Sequence, residues 1–337
     1  MDIEFHFYMT HLIALRAGFK PDDAFTIAYA SQYTDDNENV YEIKGRGNPY
    51  VNMISQTMDI TKPQGEHLSI YPAFHFCPAP VKEIFAQAPL RTDGVYHSLD
   101  TLPDNGNART IFEKAMASGN LHRIGMGAHM YADTFCHRDF VGYKHTFNWL
   151  KIDGLIKGLL DDILPCIGHA LAMHQPDLPA LVWEDTRLTS KYRLKKNKDQ
   201  ILGAAENIFD FFCLNTKPTN AKKKRNELIE ELTAAIGEEA TTDSAKKVKT
   251  RINNYKTLLG ENYKDYNKAE WFNDAIETQV DGKTAGTSGV KLDYFWKDDY
   301  SKSNWFQFQE AVKAHHTVAL KVFGPTFGAM EIDIASV

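Results

Sequence analysis

The sequence predicts an all-α protein with a mainly helical, bundle-like core and one long irregular loop region. Helix signals recur along the chain: residues 3–17 form a helical run closed by Gly18, and Pro21 opens the next run. Gly, Pro and Asn instead concentrate between residues 37 and 106, so that region is expected to be irregular.

The individual elements follow in chain order. Within the irregular region we expect only short strands, near residues 40–43 and 68–71. Pro165 should kink or interrupt a helix over residues 152–164. Residues 281–304, rich in Gly, Asp, Ser and aromatics, are expected to be a loop. The remaining helices are predicted at residues 3–17, 21–33, 108–117, 123–142, 199–214, 221–236, 243–259 and 307–322.

Charge divides the 337 residues into three segments. Residues 1–186 hold 14 Lys+Arg against 23 Asp+Glu, whereas residues 187–257 hold 16 against 9. We interpret 1–186 as the functional core, 187–257 as a basic helical insertion or exposed layer, and 258–337 as a C-terminal helical segment packing on the core. The basic side chains of residues 187–257 are expected to form a solvent-exposed face. The alternative is a surface that attracts phosphate-bearing substrates or membranes.

Composition also limits partners and compartment. The net charge of −6 argues against general nucleic-acid binding, and no apolar stretch is long enough to span a bilayer. The first residues contain two acids and no basic segment before an apolar one, so no signal peptide is expected. The four cysteines are too scattered for a disulfide framework. We therefore expect a cytoplasmic location, with a signal-less secretion route as the alternative.

The strongest motif places ligand-capable side chains every four residues in an apolar segment that should be helical. These residues are His129, Asp133 and His137. Steps of four advance only about 40° around a helix, so the three side chains form one slowly drifting stripe. Imidazole and carboxylate ligands in this arrangement suit zinc, iron or manganese. One buried His is usually satisfied by a hydrogen bond, but three residues in register that include a carboxylate favour a metal site.

Two more ligands are expected from the first two helices. His6 lies between two phenylalanines, where an imidazole needs a partner. His11 is about 140° away around the helix, so both are not expected at one site. Asp35 and Asp36 end the second helix, where acids are mildly unfavourable unless a cation is bound. We expect one of these two carboxylates at the metal.

Other histidines complete the candidate set. His75 lies between aromatic residues in the irregular region, and a ligand role there has no support from spacing. His169 follows Gly168, which would permit close backbone approach. The tandem His315-His316 faces two directions and is interpreted as structural or surface.

Four ordered blocks carry a resemblance to a known superfamily. They are Phe-His-Phe-Tyr around His6, Tyr-x-Asp-Asp at residues 33–36, His-x3-Asp-Thr-Phe-x-His at 129–137, and Gly-His followed by Pro-Asp at 168–177. The first 185 or so residues resemble uncharacterised bacterial proteins that are distantly similar to the zinc-dependent phospholipase C and S1/P1 nuclease superfamily. The signatures HExxH, Glu-x-x-His and GxSxG are absent from the sequence.

The resemblance implies an all-α fold and a cluster of up to three zinc ions that hydrolyses phosphoesters. Two features of the superfamily are missing from this sequence. One is an N-terminal Trp that serves as a ligand, and the other is a later His-x3-Glu, because Met173 lies four residues after His169.

We therefore expect a metal-dependent hydrolase, most readily of phosphoesters, acting on a phosphate-bearing small molecule or lipid. Zinc is the expected ion, with iron or manganese as alternatives. Asp36 and Asp133 are also predicted to be catalytic, and a spare Asp could act as general base. Two alternatives stay open: a non-catalytic module with a structural metal, and a metal-free network of histidines. The predicted ligands are His6, Asp35, Asp36, His75, His129, Asp133, His137 and His169.

Overall fold

The computed structural model describes residues 1–45, 48–57, 64–87, 90–150, 168–280 and 292–331, without the side chains of 64–66. The chain is mostly helical, as predicted, but it also contains two small sheets. The expectation of a purely α fold was therefore wrong in this respect. Within the described ranges, no helix combines the length and the apolar character needed to cross a membrane.

Eleven α-helices lie in these ranges, and a π-helix, Glu4–Met9, runs directly into the first of them. They are α1 (Thr10–Ala17), α2 (Pro21–Asp36), α3 (Gln64–Phe74), α4 (Val81–Ala86), α5 (Gly106–Ala117), α6 (Leu121–Cys136), α7 (Asn197–Thr216), α8 (Ala221–Ile236), α9 (Ala245–Leu259), α10 (Glu270–Ala275) and α11 (Asn304–Ala329).

The predicted end of the first helix and the predicted start of the second are confirmed. The first helical run ends at Gly18, whose φ of 103° lies in the left-handed region that glycine adopts without strain. Pro21 then begins α2 at the position where its missing N–H costs nothing.

Helix α6 is central, and α2, α3, α5, α7 and α11 pack around it. Asn120 caps its N-terminus by accepting a hydrogen bond from the Arg123 backbone N–H at 2.9 Å. The helix ends at Cys136, earlier than the predicted boundary at residue 142. His137 follows as the cap residue, and Asp139 turns the chain with a φ of 68°.

Helices α2 and α6 approach each other closely at Gly125. A Cβ at this position would collide with the backbone carbonyl oxygen of Ile27, so only glycine fits. This approach brings the end of α2, with Ser31 and Asp35, beside His129 of α6.

Two small sheets complete the fold. Strands β1 (Glu42–Lys44), β2 (Tyr50–Val51), β5 (Ile276–Val280) and β6 (Leu292–Trp296) form a sheet in the order β2-β1-β6-β5. Strand β1 pairs antiparallel with β2 and parallel with β6, and β5 pairs antiparallel with β6. Strands β3 (Val182–Glu184) and β4 (Leu194–Lys196) form an antiparallel pair.

Three sequence-based predictions of local structure meet different outcomes. Strand β1 confirms the strand expected near residues 40–43. Strand β6 lies inside the predicted loop 281–304, because its aromatic residues pack: the Tyr294 ring lies 5.0 Å from that of Tyr41. The helix predicted over 152–164, Pro165 and residues 281–291 lie outside the described ranges.

The strand predicted at residues 68–71 was wrong, since these residues belong to α3. Leu68, Ser69 and Ile70 are all buried, so the segment shows no amphipathic stripe that could have revealed a helix.

Residues of all three charge segments contribute to one hydrophobic core. From the basic segment, Phe212 of α7 and Leu228 and Leu232 of α8 are fully buried. Lys222 and Lys223 of α8 remain exposed, as expected for a solvated face.

Candidate metal centre

Four histidines converge on one site, and a backbone carbonyl holds each of them. Nδ1 of His129 donates to the carbonyl oxygen of Ser31 at 2.8 Å, and Nε2 of His75 donates to that of Ser55 at 2.9 Å. In the same way, Nδ1 of His137 donates to the carbonyl oxygen of His75 at 2.8 Å. Nδ1 of His169 donates to that of Met173 at 2.9 Å. A carbonyl can only accept, so the bonded ring nitrogen carries the proton. The second ring nitrogen of each histidine then faces the other candidate ligand atoms of the site.

The first group of ligand atoms lies between α2, α6 and the end of α3. Nδ1 of His75 and Nε2 of His129 face each other at 3.1 Å. Oδ2 of Asp133 lies 3.3 Å from each of these nitrogens, and Oδ1 of Asp35 lies 3.7 and 3.6 Å from them. Four ligands around tetrahedral zinc lie about 3.3 Å apart, given bonds of about 2.0–2.1 Å. The two nitrogens, with a carboxylate oxygen beside them, therefore have the spacing of ligands to one divalent ion.

The second group forms around the other oxygen of Asp133. Nε2 of His6 lies 3.2 Å from Asp133 Oδ1, and the His6 ring stacks on that of His129 with centroids 3.7 Å apart. The amino group of Met1 lies 2.5 Å from the same oxygen. Asp133 thus presents one oxygen to each group, as a shared carboxylate does.

The third group is made by the residues that follow α6. Oδ1 of Asp177 lies 3.4 Å from Nε2 of His137 and 3.6 Å from Nε2 of His169. The Met1 amino nitrogen lies 3.3 Å from the same oxygen and 3.5 Å from His137 Nε2, so it sits between the second and third groups.

Gly168 and Phe76 shape this third group. The φ of Gly168 is 51°, and a Cβ there would collide with the Phe76 ring. That ring stacks on His137 with centroids 4.4 Å apart. The close approach expected at Gly168 is thus present, and it places His169 beside His137, with ring centroids 4.6 Å apart.

Most of the site is closed to solvent. The side chains of His6 and His129 are fully buried and that of Asp133 is 1% exposed, whereas Asp35 is 27% and His169 is 19% exposed. Solvent therefore reaches the site on the side of Asp35 and His169.

The electrostatics favour the cation-binding forms of Asp133, His6 and His169. Burial opposes ionisation of Asp133, but His137 and the Met1 ammonium outweigh it and hold the pKa of Asp133 well below its usual range. Burial lowers the pKa of His6 to about 3 and that of His169 to about 4. An anionic Asp133 beside neutral His6 and His169 suits metal binding, whereas Asp35 and Asp133 raise the pKa of His129 against the effect of burial.

The structure brings seven of the eight predicted ligands together and leaves one outside. Those present are His6, Asp35, His75, His129, Asp133, His137 and His169. The eighth, Asp36, accepts hydrogen bonds from Tyr266 (2.7 Å) and Gln32 (3.2 Å), and Lys268 lies 3.7 Å away. The prediction of Asp36 as a ligand and catalytic residue is therefore corrected. Neighbours on a helix point about 100° apart, and it is Asp35 that faces α6.

Sequence reasoning missed Asp177 and the Met1 amino group. Asp177 reaches His169 through a 3₁₀ turn (Ala170–Ala172) and Met173, whose φ is 55°, so helical spacing could not pair the two. The Pro-Asp of the fourth sequence block was the available signal. His11 lies outside the site against Phe7 and Phe25, as its helical angle predicted.

Fold and site together define a mainly helical protein with a buried His–Asp cluster. The chain belongs to the family of unknown function DUF6765, whose model matches residues 1–323 and so spans all three charge segments. No curated protein and no solved structure matches it.

Proposed function

We propose that this protein is a metal-dependent hydrolase of phosphoesters. The contact that carries the proposal joins Nδ1 of His75 and Nε2 of His129, which face each other at 3.1 Å while the opposite nitrogen of each ring donates to a carbonyl. Two ring nitrogens at this distance need a metal ion or a proton between them, because two facing lone pairs would repel. The oxygens of Asp35 and Asp133 beside them supply the charge and donor count for a divalent ion.

The three groups of ligand atoms support a cluster of up to three ions. Asp133 would be shared, since its oxygens face different groups. Zinc suits the imidazole and carboxylate donors best, with iron or manganese as alternatives. Bound divalent ions lower the pKa of water and stabilise the attacking and leaving oxygens of a phosphoryl displacement. That chemistry, together with the resemblance of the sequence blocks, favours phosphoesters as substrates.

The residues at the opening define where a substrate would enter. Asp35 and His169 are the most exposed members of the cluster, so a phosphate-bearing small molecule or lipid headgroup would approach at one of these two residues. Asp35 can orient a water there and hold the proton that it loses. Asp36 cannot take this role while it is paired with Tyr266 and Lys268. An accessible side also argues against a closed, purely structural metal site.

One observation favours a second candidate, a metal-free polar network. The Met1 ammonium contacts Asp133 and Asp177, and these carboxylates raise its pKa well above the usual value although burial opposes this. Asp35 and Asp133 likewise raise the pKa of His129 against the effect of burial. In this arrangement protons and the ammonium, rather than metal ions, neutralise the cluster.

Metal analysis coupled to hydrolysis separates the candidates. The purified protein is stripped with a chelator, reloaded with zinc, iron or manganese, and assayed on a nitrophenyl phosphate monoester and diester. We expect bound metal and hydrolysis that disappears on stripping and returns on reloading. Bound metal without hydrolysis of either ester would contradict the hydrolase and support a structural metal site. Absence of bound metal would support the metal-free polar network.

A further inference from the structure

Arg251 of the basic segment is buried against the N-terminal helix. It is 4% exposed, and its Nε and Nη2 donate to the two carboxylate oxygens of Glu4 at 2.8 and 2.7 Å. Its Nη1 and Nη2 also donate to Asp243 at 3.1 and 2.5 Å. A planar guanidinium is the one side chain that can hold two carboxylates in this forked way. The pair joins α9 to the first residue of the π-helix.

The first residues of the chain, on both sides of Glu4, reach the cluster. His6 follows two residues later, and the Met1 amino group lies three residues before. The first N–H groups of a helix lack partners within it, and here Asp2 accepts the bonds from Glu4, Phe5 and His6. A π-helix is also uncommon, and such turns occur mostly at functional sites. Contacts from outside must therefore fix this segment.

His6 depends on the helix more than the other histidines do. Four histidines of the site are each anchored by a carbonyl, whereas neither ring nitrogen of His6 has a hydrogen bond partner among the described residues. Stacking on His129, the approach of Nε2 to Asp133 at 3.2 Å and the position of the π-helix orient its ring, with no carbonyl to anchor it. A small shift of the π-helix would therefore move Nε2 of His6 away from Asp133.

We infer that Arg251 is a positioning residue: through Glu4 it fixes the π-helix and so holds His6 and the Met1 amino group at the cluster. Tyr255 of the same helix supports the contact by stacking on Tyr8, with ring centroids 6.2 Å apart. The basic segment thus supplies a buried cation to the site, in addition to its exposed lysines. The effect of Arg251 on metal binding rests on the proposed function. Its effect on the position of the π-helix does not.

Three variants and a control test this inference. Arg251→Met removes the guanidinium, but it leaves two buried carboxylates unpaired and so risks misfolding. Glu4→Leu breaks the same pair while Arg251 keeps Asp243, so the fold is preserved. Arg251→Lys should restore part of the wild-type behaviour, because one ammonium can contact only part of the fork. Arg225→Met is the control, since it removes an arginine of α8 whose ion pair, with Asp210 of α7, lies on the surface.

Hydrogen exchange of the metal-stripped protein gives the first readout. We expect amides of residues 4–9 to exchange at least about tenfold faster in Arg251→Met and Glu4→Leu, with α6 and the Arg225→Met control unchanged. Unchanged exchange of residues 4–9 would overturn the inference. This readout needs no bound metal, so it decides the role of Arg251 even if the wild-type protein proves metal-free and the proposed function fails.

Titration with Co²⁺ gives the second readout. We expect Arg251→Met and Glu4→Leu to bind one ion fewer per chain than wild type and to show a changed visible spectrum, with partial recovery in Arg251→Lys. Faster exchange combined with wild-type Co²⁺ content and spectrum would show that the pair serves only the fold, and would overturn the positioning of His6.

Discussion

At the scale of single residues, Asp133 is the centre of the cluster. Its Oδ2 lies 3.3 Å from His75 and from His129, and its Oδ1 lies 3.2 Å from His6. A carboxylate that is 1% exposed needs cationic or hydrogen-bonding partners on both oxygens, because burying an unpaired charge costs several kcal/mol. Asp133 is therefore the candidate ligand whose loss should affect most of the site.

Asp133→Asn should remove hydrolysis and more than one metal ion together. Altering a residue that merely supports a ligand costs about 10–100-fold in metal affinity or activity, so loss of a shared ligand should cost at least about 100-fold. The measurement is the metal content and the rate constant of the reloaded variant, with its folding checked by circular dichroism. Wild-type metal content in this variant would contradict the shared role.

Asp35 and Asp36 provide a matched pair, because they are neighbours with different surroundings. Asp35→Asn should weaken metal binding by about 10-fold or more, since its Oδ1 belongs to the first group of ligand atoms. Asp36→Asn should leave metal binding and activity within about twofold of wild type, since its partners are Tyr266, Gln32 and Lys268. The reverse ranking of the two variants would show that the wrong carboxylate has been assigned.

The sequence could predict those candidate ligands that share one regular helix. His129 and Asp133 lie on α6, and His137 at its end, so the period of the helix was sufficient to group them. It could not choose between Asp35 and Asp36, because that choice depends on how α2 is rotated against α6. Nor could it find Asp177, which reaches the site through an irregular turn.

At the scale of helices, the contact between α2 and α6 aligns the site. The carbonyl of Ser31 on α2 accepts the hydrogen bond that orients His129 on α6, and Asp35 lies one turn further along. Gly125 permits this separation, because any side chain there would meet the backbone of α2.

Gly125→Ala should therefore destabilise the protein and weaken its metal site. We expect a loss of about 1–3 kcal/mol in the free energy of unfolding, the usual cost of overpacking, and a weaker metal affinity because Ser31 and Asp35 are pushed away from His129. Denaturant unfolding and metal titration measure both effects. Gly203→Ala on α7 is the control, since its Cβ would only touch the Phe135 ring at 3.4 Å. Equal losses of stability and metal affinity in the two variants would show that the close approach at Gly125 has no special role.

The sequence predicted helices correctly where capping residues or an amphipathic stripe of apolar residues were present. Gly18 and Pro21 marked the boundary between α1 and α2, and helix α8 was found at its predicted bounds, 221–236. Prediction failed for α3, where consecutive residues are buried on several sides, and for β6, which pairs both with β5 and with β1, a strand far away in the chain. Tertiary packing decides both cases.

At the scale of the whole molecule, buried histidines outside the cluster make the fold sensitive to acid. His122 is 8% exposed, lies beside Trp271 and contacts Asn304 at 3.1 Å. Burial lowers the pKa of His122 to about 4. The unfolded chain protonates this residue near its ordinary pKa of about 6.5, so below that pH the unfolded state binds a proton that the folded state does not.

The free energy of unfolding should therefore fall as the pH drops from about 6.5 to about 4, and His122 should have no effect above that window. His122→Gln should flatten this part of the profile by about 1–3 kcal/mol, because glutamine can still contact Asn304 but does not titrate. Urea unfolding of metal-stripped wild type and variant across this pH range measures the difference. Parallel profiles for the two proteins would show that His122 is not buried in its neutral form.

The central claim is that metal ions, rather than protons and an ammonium group, neutralise the His–Asp cluster. The most direct measurement is elemental analysis of the protein after zinc loading and removal of free ions, with the melting temperature recorded before and after chelation. The account predicts up to three ions per chain and a melting temperature that falls on chelation, because a ligand of the folded state stabilises it. Less than one ion per chain of any divalent metal, with a melting temperature insensitive to zinc and to chelator, would contradict it.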